Sequence, residues 1–332
     1  MLAPLTAGEV VIFTLHHVQP DPPQAFEPNR ILKITPEFLE AVLIEVQSAG
    51  FDVISLDDVP ARLAGDPSQR PFACFTFDDG YRDNRDYALP VFRKLNLPLT
   101  IFVPADFPSG KADLWWLVLE ETIRKASVIQ VTLNGARRRF ECATVQAKEN
   151  AFHEIYWSLR QMNEDEARAL VASLALEHGV DGRTLADRLL MTWDDIREMA
   201  ADPLVTFGAH TNSHYALAKL PEDRARTEIS ESIAALEKQL GRPCRHFSFP
   251  YGDPTAAGER EFRLAAEAGM QTAVTTRKGH IHTRHRNRLT ALPRLSLNGD
   301  YQDTRFVKVL MSGAPFALRD AVKRLTGAPA AA

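Results

Sequence analysis

Short apolar runs alternate with longer amphipathic ones along most of this chain, and nearly every apolar run stops at a cluster of polar residues. That alternation is the pattern of β/α units wrapped around a largely parallel sheet. The first run, Val10 to Leu15, ends at His16 and His17. Thr35 is placed to cap a helix with Pro36 at its first position, Phe38, Leu39, Val42, Leu43 and Val46 on one face, and Gly50 as its stop. Further strands are predicted at Phe51 to Ser55, Phe72 to Phe77 and Leu99 to Val103, with a helix around Tyr87 to Leu95. Later strands are predicted at Val205 to Gly208, Phe247 to Phe249 and Thr272 to Thr275, with a long helix from Pro221 to Leu240 between the first two. Polar residues gather just past the strands' C-terminal ends, where the loops of an α/β fold converge on one rim and active sites are built.

Between Lys111 and Leu190 the pattern changes. An aromatic segment, LWWLVLEETIRKA, is followed by a hairpin signal at Asn134-Gly135 and then by mostly polar helices, one opened by Asn163 and Glu166 at capping-box spacing. This segment reads as an insertion, either a lid or substrate-binding subdomain or a structural or oligomer-forming appendage. The 332 residues carry a net charge of -4, so no basic field is offered to nucleic acid or to an anionic membrane. Cys74, Cys142 and Cys244 are odd in number and far apart, which excludes a disulfide framework and a cysteine zinc site and predicts buried free thiols. No uncharged apolar run reaches the ~18 residues of a membrane span. The first residues lack a basic stretch and do not read as a signal peptide, so a cytoplasmic enzyme is expected.

Three segments carry the chemistry together: Thr76-Phe77-Asp78-Asp79-Gly80, His210-Thr211-Asn212-Ser213-His214, and Phe247-Ser248-Phe249-Pro250-Tyr251-Gly252. Histidines four apart can share one side of a turn and each offers a lone pair, although such pairs are as often solvated or capping. Adjacent aspartates at a strand end diverge, so one can ligate while its neighbour faces substrate, the alternative being a helix cap. Two imidazoles and one carboxylate leave coordination positions open, which is the arrangement of a catalytic rather than a structural metal, and hydrolysis is its natural outcome.

In this order and spacing the segments closely resemble the polysaccharide deacetylase family, carbohydrate esterase family four, whose core is the NodB-homology domain. The resemblance runs from Val10 to Leu297, with 111–190 outside the shared core. It implies an α/β fold, a distorted (β/α)7-type barrel with an inserted α+β segment. The chain then divides into a barrel over 8–110 and 191–300, the insertion over 111–190, C-terminal helices over 301–326 and a frayed tail over 327–332. It also implies removal of an N-acetyl, occasionally O-acetyl, group from an acylated sugar, with a divalent metal, zinc foremost and Co2+, Ni2+, Mn2+ or Fe2+ as alternatives. Residue by residue, Asp78 matches the family's catalytic base, and Asp79, His210 and His214 match its metal ligands. Thr211 matches a position whose hydroxyl steadies the histidine loop, and Tyr251 one whose backbone N–H binds the oxyanion. Pro250 and Tyr251 are also expected to contact substrate.

The chain departs from the family pattern twice. An arginine that many members carry just ahead of the Pro-Tyr pair is replaced by Ser248, and Arg294, in Leu-Pro-Arg-Leu-Ser-Leu, is the expected substitute as partner of Asp78. The usual late Leu-x-His segment that carries the general acid is missing. Leu15-His16-His17-Val18 resembles the Tyr-His-x-Val opening of many relatives, which makes His16 the expected site histidine, whereas His280, His282 and His285 read as a solvated loop. Trp115, Trp116, Trp157 and Trp193 are candidate sugar-stacking platforms, with Trp115 and Trp116 chosen for substrate binding; their alternative is core packing. Rival readings are a deformylase or deacylase of a non-sugar amide, a non-haem iron oxygenase, and an inactive sugar-binding relative.

Overall fold

The computed structural model describes residues 10–65 and 70–318. Seven parallel strands close into a barrel: β1 (Val10–Leu15), β2 (Phe72–Phe77), β3 (Leu99–Val103), β4 (Val205–Ala209), β5 (His246–Ser248), β6 (Thr272–Lys278) and β7 (Leu292–Ser296). They follow one another round the ring in chain order, and β7 and β2 both pair with β1 to complete it. The barrel is distorted between β2 and β3. These two pair only through Thr76–Thr100 and Phe77–Ile101, and the short strand Asp52–Val53 takes the start of β2 instead, through Phe72 and Ala73. The predicted strand at Phe51 to Ser55 is therefore real but only two residues long.

Parallel strands buried on both faces read as continuous apolar runs, as β1, β2 and β3 do. The main core lies between the outer strand faces and the helices: Phe13, Phe75 and Phe77 pack against Leu39, Val42, Leu43 and Phe92. The barrel interior is a smaller cluster that includes Val10, Ile12, Cys74, Phe102, Val274 and Leu292. The helix Pro36–Ser48 begins as its sequence dictates, with the Thr35 hydroxyl accepting from Phe38 N–H and Pro36 at the first position. The helix Glu222–Leu240 ends at Gly241 in the left-handed conformation.

Residues 111–190 build a separate core. The helix Trp115–Lys125 packs with the hairpin Val128–Leu133 and Ala136–Glu141 and with the helices Val145–Leu159, Glu164–Glu177 and Gly182–Leu189. Asn134 and Gly135 both have positive φ, the turn their sequence predicts. Asn163 does cap its helix, accepting from the N–H groups of Asp165 and Glu166, but the reciprocal Glu166 bond of a full capping box is not formed. Phe26, Tyr81 and Phe107 join this core to the barrel rim. The three cysteines are free and buried. At the C-terminal end the helix Thr304–Met311 packs on Pro36–Ser48; the expected tail at 327–332 lies outside the described residues. Among the described residues no helix is long and apolar enough to cross a membrane.

Candidate metal centre and active site

Because all seven strands are parallel, the residues that follow β1, β2, β4 and β5 meet on one rim. Six non-glycine residues have positive φ among the described ones. Two are turn asparagines, and the other four, Asp79 (72°), Thr211 (62°), His214 (59°) and Tyr251 (60°), all lie in the three motif loops. Such backbone costs on the order of 1–3 kcal/mol per residue and is most unfavourable for a β-branched threonine. The strain follows from geometry: Asp78 N–H still continues the β2 ladder to Leu15 O, and the reversal at Asp79 turns the second carboxylate out of the strand's alternation, toward the histidines.

Asp79, His210 and His214 are buried, and their candidate ligand atoms all lie within 4.8 Å of one another. Asp79 Oδ1 is 3.5 Å from His210 Nε2 and 3.2 Å from His214 Nε2, yet it accepts no hydrogen bond. An orphaned buried carboxylate oxygen facing two imidazole nitrogens suits a cation that binds all three. His210 Nδ1 donates to Ser248 O at 2.7 Å, which fixes the ring and leaves its Nε2 lone pair for ligation. Burial pushes the His214 imidazole down to about 4 against the opposing pull of Asp79, so it rests neutral and able to ligate. Burial acts to raise the Asp79 carboxyl, but His214 and His210 hold it well below the usual carboxylate range.

The histidine loop is fixed from several sides. Thr211 Oγ1 accepts from His214 N–H at 2.8 Å, the steadying role implied by the resemblance. Glu228 accepts from the N–H groups of Asn212 and Ser213, Asp106 accepts from Ser213 Oγ, and Arg168, from the inserted segment, donates to His214 O at 2.9 Å. None of these three charged residues stood out in the sequence, because each acts through a contact distant along the chain.

Beside this cluster, the Arg294 guanidinium forks onto Asp78, with Nη1 to Oδ1 at 2.9 Å and Nη2 to Oδ2 at 2.6 Å. Its remaining donors reach Thr76 Oγ1, Ser248 Oγ and Thr275 O, so a fully buried arginine leaves no N–H unsatisfied. Ser248 thus accepts from the arginine that stands in for the one missing at its own position. Burial acts to raise the Asp78 carboxyl, and Arg294 foremost, with His210 and His16, holds it at about 2.

His16 and His17 go opposite ways, as neighbours in extended backbone must. His16 lines the cleft beside Asp78 and Asp79, and burial lowers its pKa. His17 points inward, bonded through Nδ1 to Asp83 at 2.6 Å and stacked on Tyr81. Tyr251 also lines the cleft; its ring lies 5.0 Å from that of His214, its hydroxyl accepts from Trp115 Nε1, and its backbone N–H donates to no other described group. Gly252 is required in this turn: φ is +60° and a Cβ would sit 2.5 Å from Thr276 N. Pro250 is buried and does not reach the cleft.

The cleft has a volume of about 730 Å³ and opens from Asp78, Asp79, His210 and His214 between two walls, residues 27–32 and the helix Val145–Leu159. Neither of the two tryptophans expected at the substrate presents an open ring face to the cleft. Trp115 is 4% exposed, does not line the cleft, and instead supports Tyr251 by its indole N–H and Tyr156 by stacking. Trp116 borders the cleft but is 5% exposed and packed against His214, so it offers no free ring face. Trp193 donates to Ser109 Oγ and also does not line the cleft. Trp157, at 52% exposed, is the one that faces it. Of the late histidines, His280 is buried with Nε2 on Leu310 O, whereas His282 and His285 bond each other in a largely exposed loop, as expected.

The polysaccharide deacetylase family model matches residues 148–273. That match contains His210, His214 and Tyr251 and begins inside the segment set outside the shared core by sequence. No curated protein matches the chain. Among solved structures, the Streptococcus pyogenes deacetylase PplD in complex with acetate is similar in fold at 17% identity, with a TM-score of 0.58 over 88% of this chain and 93% of that one. IcaB from Ammonifex degensii is similar at 18% identity and a TM-score of 0.57, over 92% and 97% of the two chains. The de-N-acetylase from Aggregatibacter actinomycetemcomitans gives 15% identity and 0.56 over 91% and 99%. Residues 148–273 thus match the polysaccharide deacetylase family model, and the barrel has the fold of the deacetylases named above.

Proposed function

We propose that this enzyme removes an N-acetyl group from an amino sugar within an oligo- or polysaccharide or its precursor, using a divalent cation held by Asp79, His210 and His214. Zn2+ is the first expectation, from one carboxylate and two imidazoles. The observation that carries the reading is the pairing of two different carboxylates on one rim: Asp79, orphaned between two imidazoles, and Asp78, fully engaged by Arg294. The relatives of known structure named above, one holding acetate and one a de-N-acetylase, support the same chemistry.

A bound cation supplies Lewis acidity, polarising the acyl carbonyl and acidifying the attacking water. Asp78 is kept ionised and aimed by the Arg294 fork, and its free lone pairs accept the proton released as the water attacks. The Tyr251 N–H, fixed by the strained turn at residues 250–252, donates to the oxygen on which negative charge develops. His16, partly exposed at the cleft and resting neutral, takes up a proton and passes it to the departing nitrogen. Asp78 favours hydrolysis over oxygenase chemistry, because a second carboxylate tied to a buried arginine serves proton transfer and adds nothing to an iron site. The cytoplasmic location is part of the proposal, and fractionation that finds the enzyme outside the cell overturns it.

The test is acetate release from a panel of N-acetylated sugars by cation-reconstituted enzyme beside Asp78→Asn. Release by the first and a loss of at least about a hundredfold in the second support the reading; undiminished activity in Asp78→Asn removes Asp78 as the base, and release from formylated non-sugar amides alone moves the enzyme to the rival substrate class.

A further inference from the structure

His210 and His214 are held in different ways. The free ring nitrogen of a ligating histidine ordinarily donates to a carbonyl or carboxylate, which fixes the ring. His210 does this through Nδ1 to Ser248 O at 2.7 Å, a contact made within the barrel. His214 Nδ1 is buried and has no hydrogen-bond partner among the described residues, so its ring is set by packing and by the backbone that carries it. The packing comes from Trp116, Phe107 and Tyr251, with ring centres 5.0, 5.9 and 5.0 Å away. The backbone lies at φ 59°, a strained conformation that persists only where its surroundings impose it. Thr211 Oγ1 accepts from the His214 N–H, and Arg168 Nη2 donates to the His214 carbonyl at 2.9 Å.

Arg168 is built into that contact. It stands on the helix Glu164–Glu177 of the inserted segment, 46 residues before His214, and its side chain is only 9% exposed. Nη1 donates to Asp113 Oδ2 at 3.3 Å, and Glu164 Oε2 lies 3.7 Å from Nη2. The guanidinium covers the Tyr215 ring at 4.0 Å, and Arg224 lies over the same ring at 4.6 Å. The Tyr215 hydroxyl in turn donates to Asp165 at 2.7 Å. The start of the inserted helix therefore grips Tyr215 and the His214 carbonyl together. Two residues of the inserted segment, Trp116 and Arg168, do for His214 what Ser248 does for His210.

We infer that Arg168 is a positioning residue for the cation. It fixes the carbonyl of His214, and through the strained backbone the direction of its ring, so the inserted segment and not the barrel alone determines how tightly the cation is held. Arg168 does not line the cleft and acts only through His214. This rests on the assignment of Asp79, His210 and His214 as cation ligands and adds a determinant outside the three motif loops.

The experiment titrates chelator-treated full-length protein with Zn2+ against a chromogenic competitor. Arg168→Met should weaken Zn2+ binding about 10–100-fold, and Arg168→Lys, which keeps one donor for the carbonyl, should fall between it and the parent. The visible spectrum of the Co2+-loaded protein should change in Arg168→Met, because the His214 ring turns. Ile129→Ala opens a cavity in the hairpin of the same inserted core; it should lower the urea midpoint yet leave Zn2+ affinity and the Co2+ spectrum as in the parent. Affinity of Arg168→Met within about threefold of the parent, or an unchanged Co2+ spectrum, overturns the inference. An equal loss of affinity in Ile129→Ala also overturns it, since general seating of the segment would then be the cause. If Arg168→Met fails to fold, Glu164→Gln combined with Arg168→Met, which leaves no buried carboxylate stranded, carries the same expectation. A parent that binds no Zn2+, or a His214→Ala variant that binds it equally well, overturns the ligand assignment itself and the inference with it; those two proteins alone tell that result apart from a failure at Arg168.

Discussion

Replacing Arg294 with methionine removes one guanidinium and strands several groups at once. The arginine makes five hydrogen bonds and is fully buried, with two of them on the Asp78 carboxylate. Breaking a buried ion pair from one side costs about 3–5 kcal/mol, because the remaining charge is left without compensation. The Thr275 carbonyl also loses its donor, which adds about 1 kcal/mol. Against a total stability of about 5–15 kcal/mol, Arg294→Met should bring the barrel close to the unfolding threshold. Adding Asp78→Asn removes the stranded charge, so the double variant should recover on the order of 2 kcal/mol relative to the sum of the two single losses. Urea unfolding of the chelator-treated proteins measures this without any contribution from cation binding. Arg294→Lys separates charge from geometry: one ammonium cannot serve both carboxylate oxygens, Thr76, Ser248 and Thr275 together, so it should recover part of the stability but not the rate of acetate release. If Arg294→Met unfolds within about 1 kcal/mol of the parent, or if the two single effects simply add, the pair is not the electrostatic unit described.

Other expectations test separate parts of the site. Chelation should abolish acetate release, Zn2+ should restore it, and His214→Ala should lose stoichiometric metal in elemental analysis. His16→Ala should lower kcat by about 10²-fold or more if it is the proton donor, with metal content unchanged. Gly252→Ala should both destabilise the protein, by about 1–3 kcal/mol in a denaturant titration, and slow the reaction, because the added Cβ presses on Thr276 and displaces the Tyr251 N–H. At the opposite end of the barrel, the hydrogen bond from His246 foremost, then Arg245, outweighs partial burial and lowers the Asp57 carboxyl to about 2 from 3.8. A depressed carboxyl contributes stability above its ordinary pKa that is lost as pH falls from about 4 through 2, so Asp57→Asn should flatten that part of the acid-unfolding profile.

The sequence by itself determined what short-range physics encodes. Period and punctuation placed the barrel strands and major helices, Thr35 and Pro36 set a helix start, Asn134-Gly135 set a hairpin, and adjacent carboxylates with a histidine pair marked candidate metal ligands that the fold brings together. These signals rest on contacts within a few residues, and the fold preserves them. Arg294 was legible only through a family resemblance, since it is 216 residues from Asp78 and barrel closure alone brings the two together. A change of pattern marked residues 111–190 in the sequence but could not orient them. Its contribution to the cleft, the Arg168 clamp on the histidine loop and the exchange of Trp157 for Trp115 and Trp116 all depend on which face of each helix packs inward. Four helices and a hairpin can bury similar apolar area in several arrangements, so the choice among them is made by their common core and its seat on Phe26, Tyr81 and Phe107 of the rim.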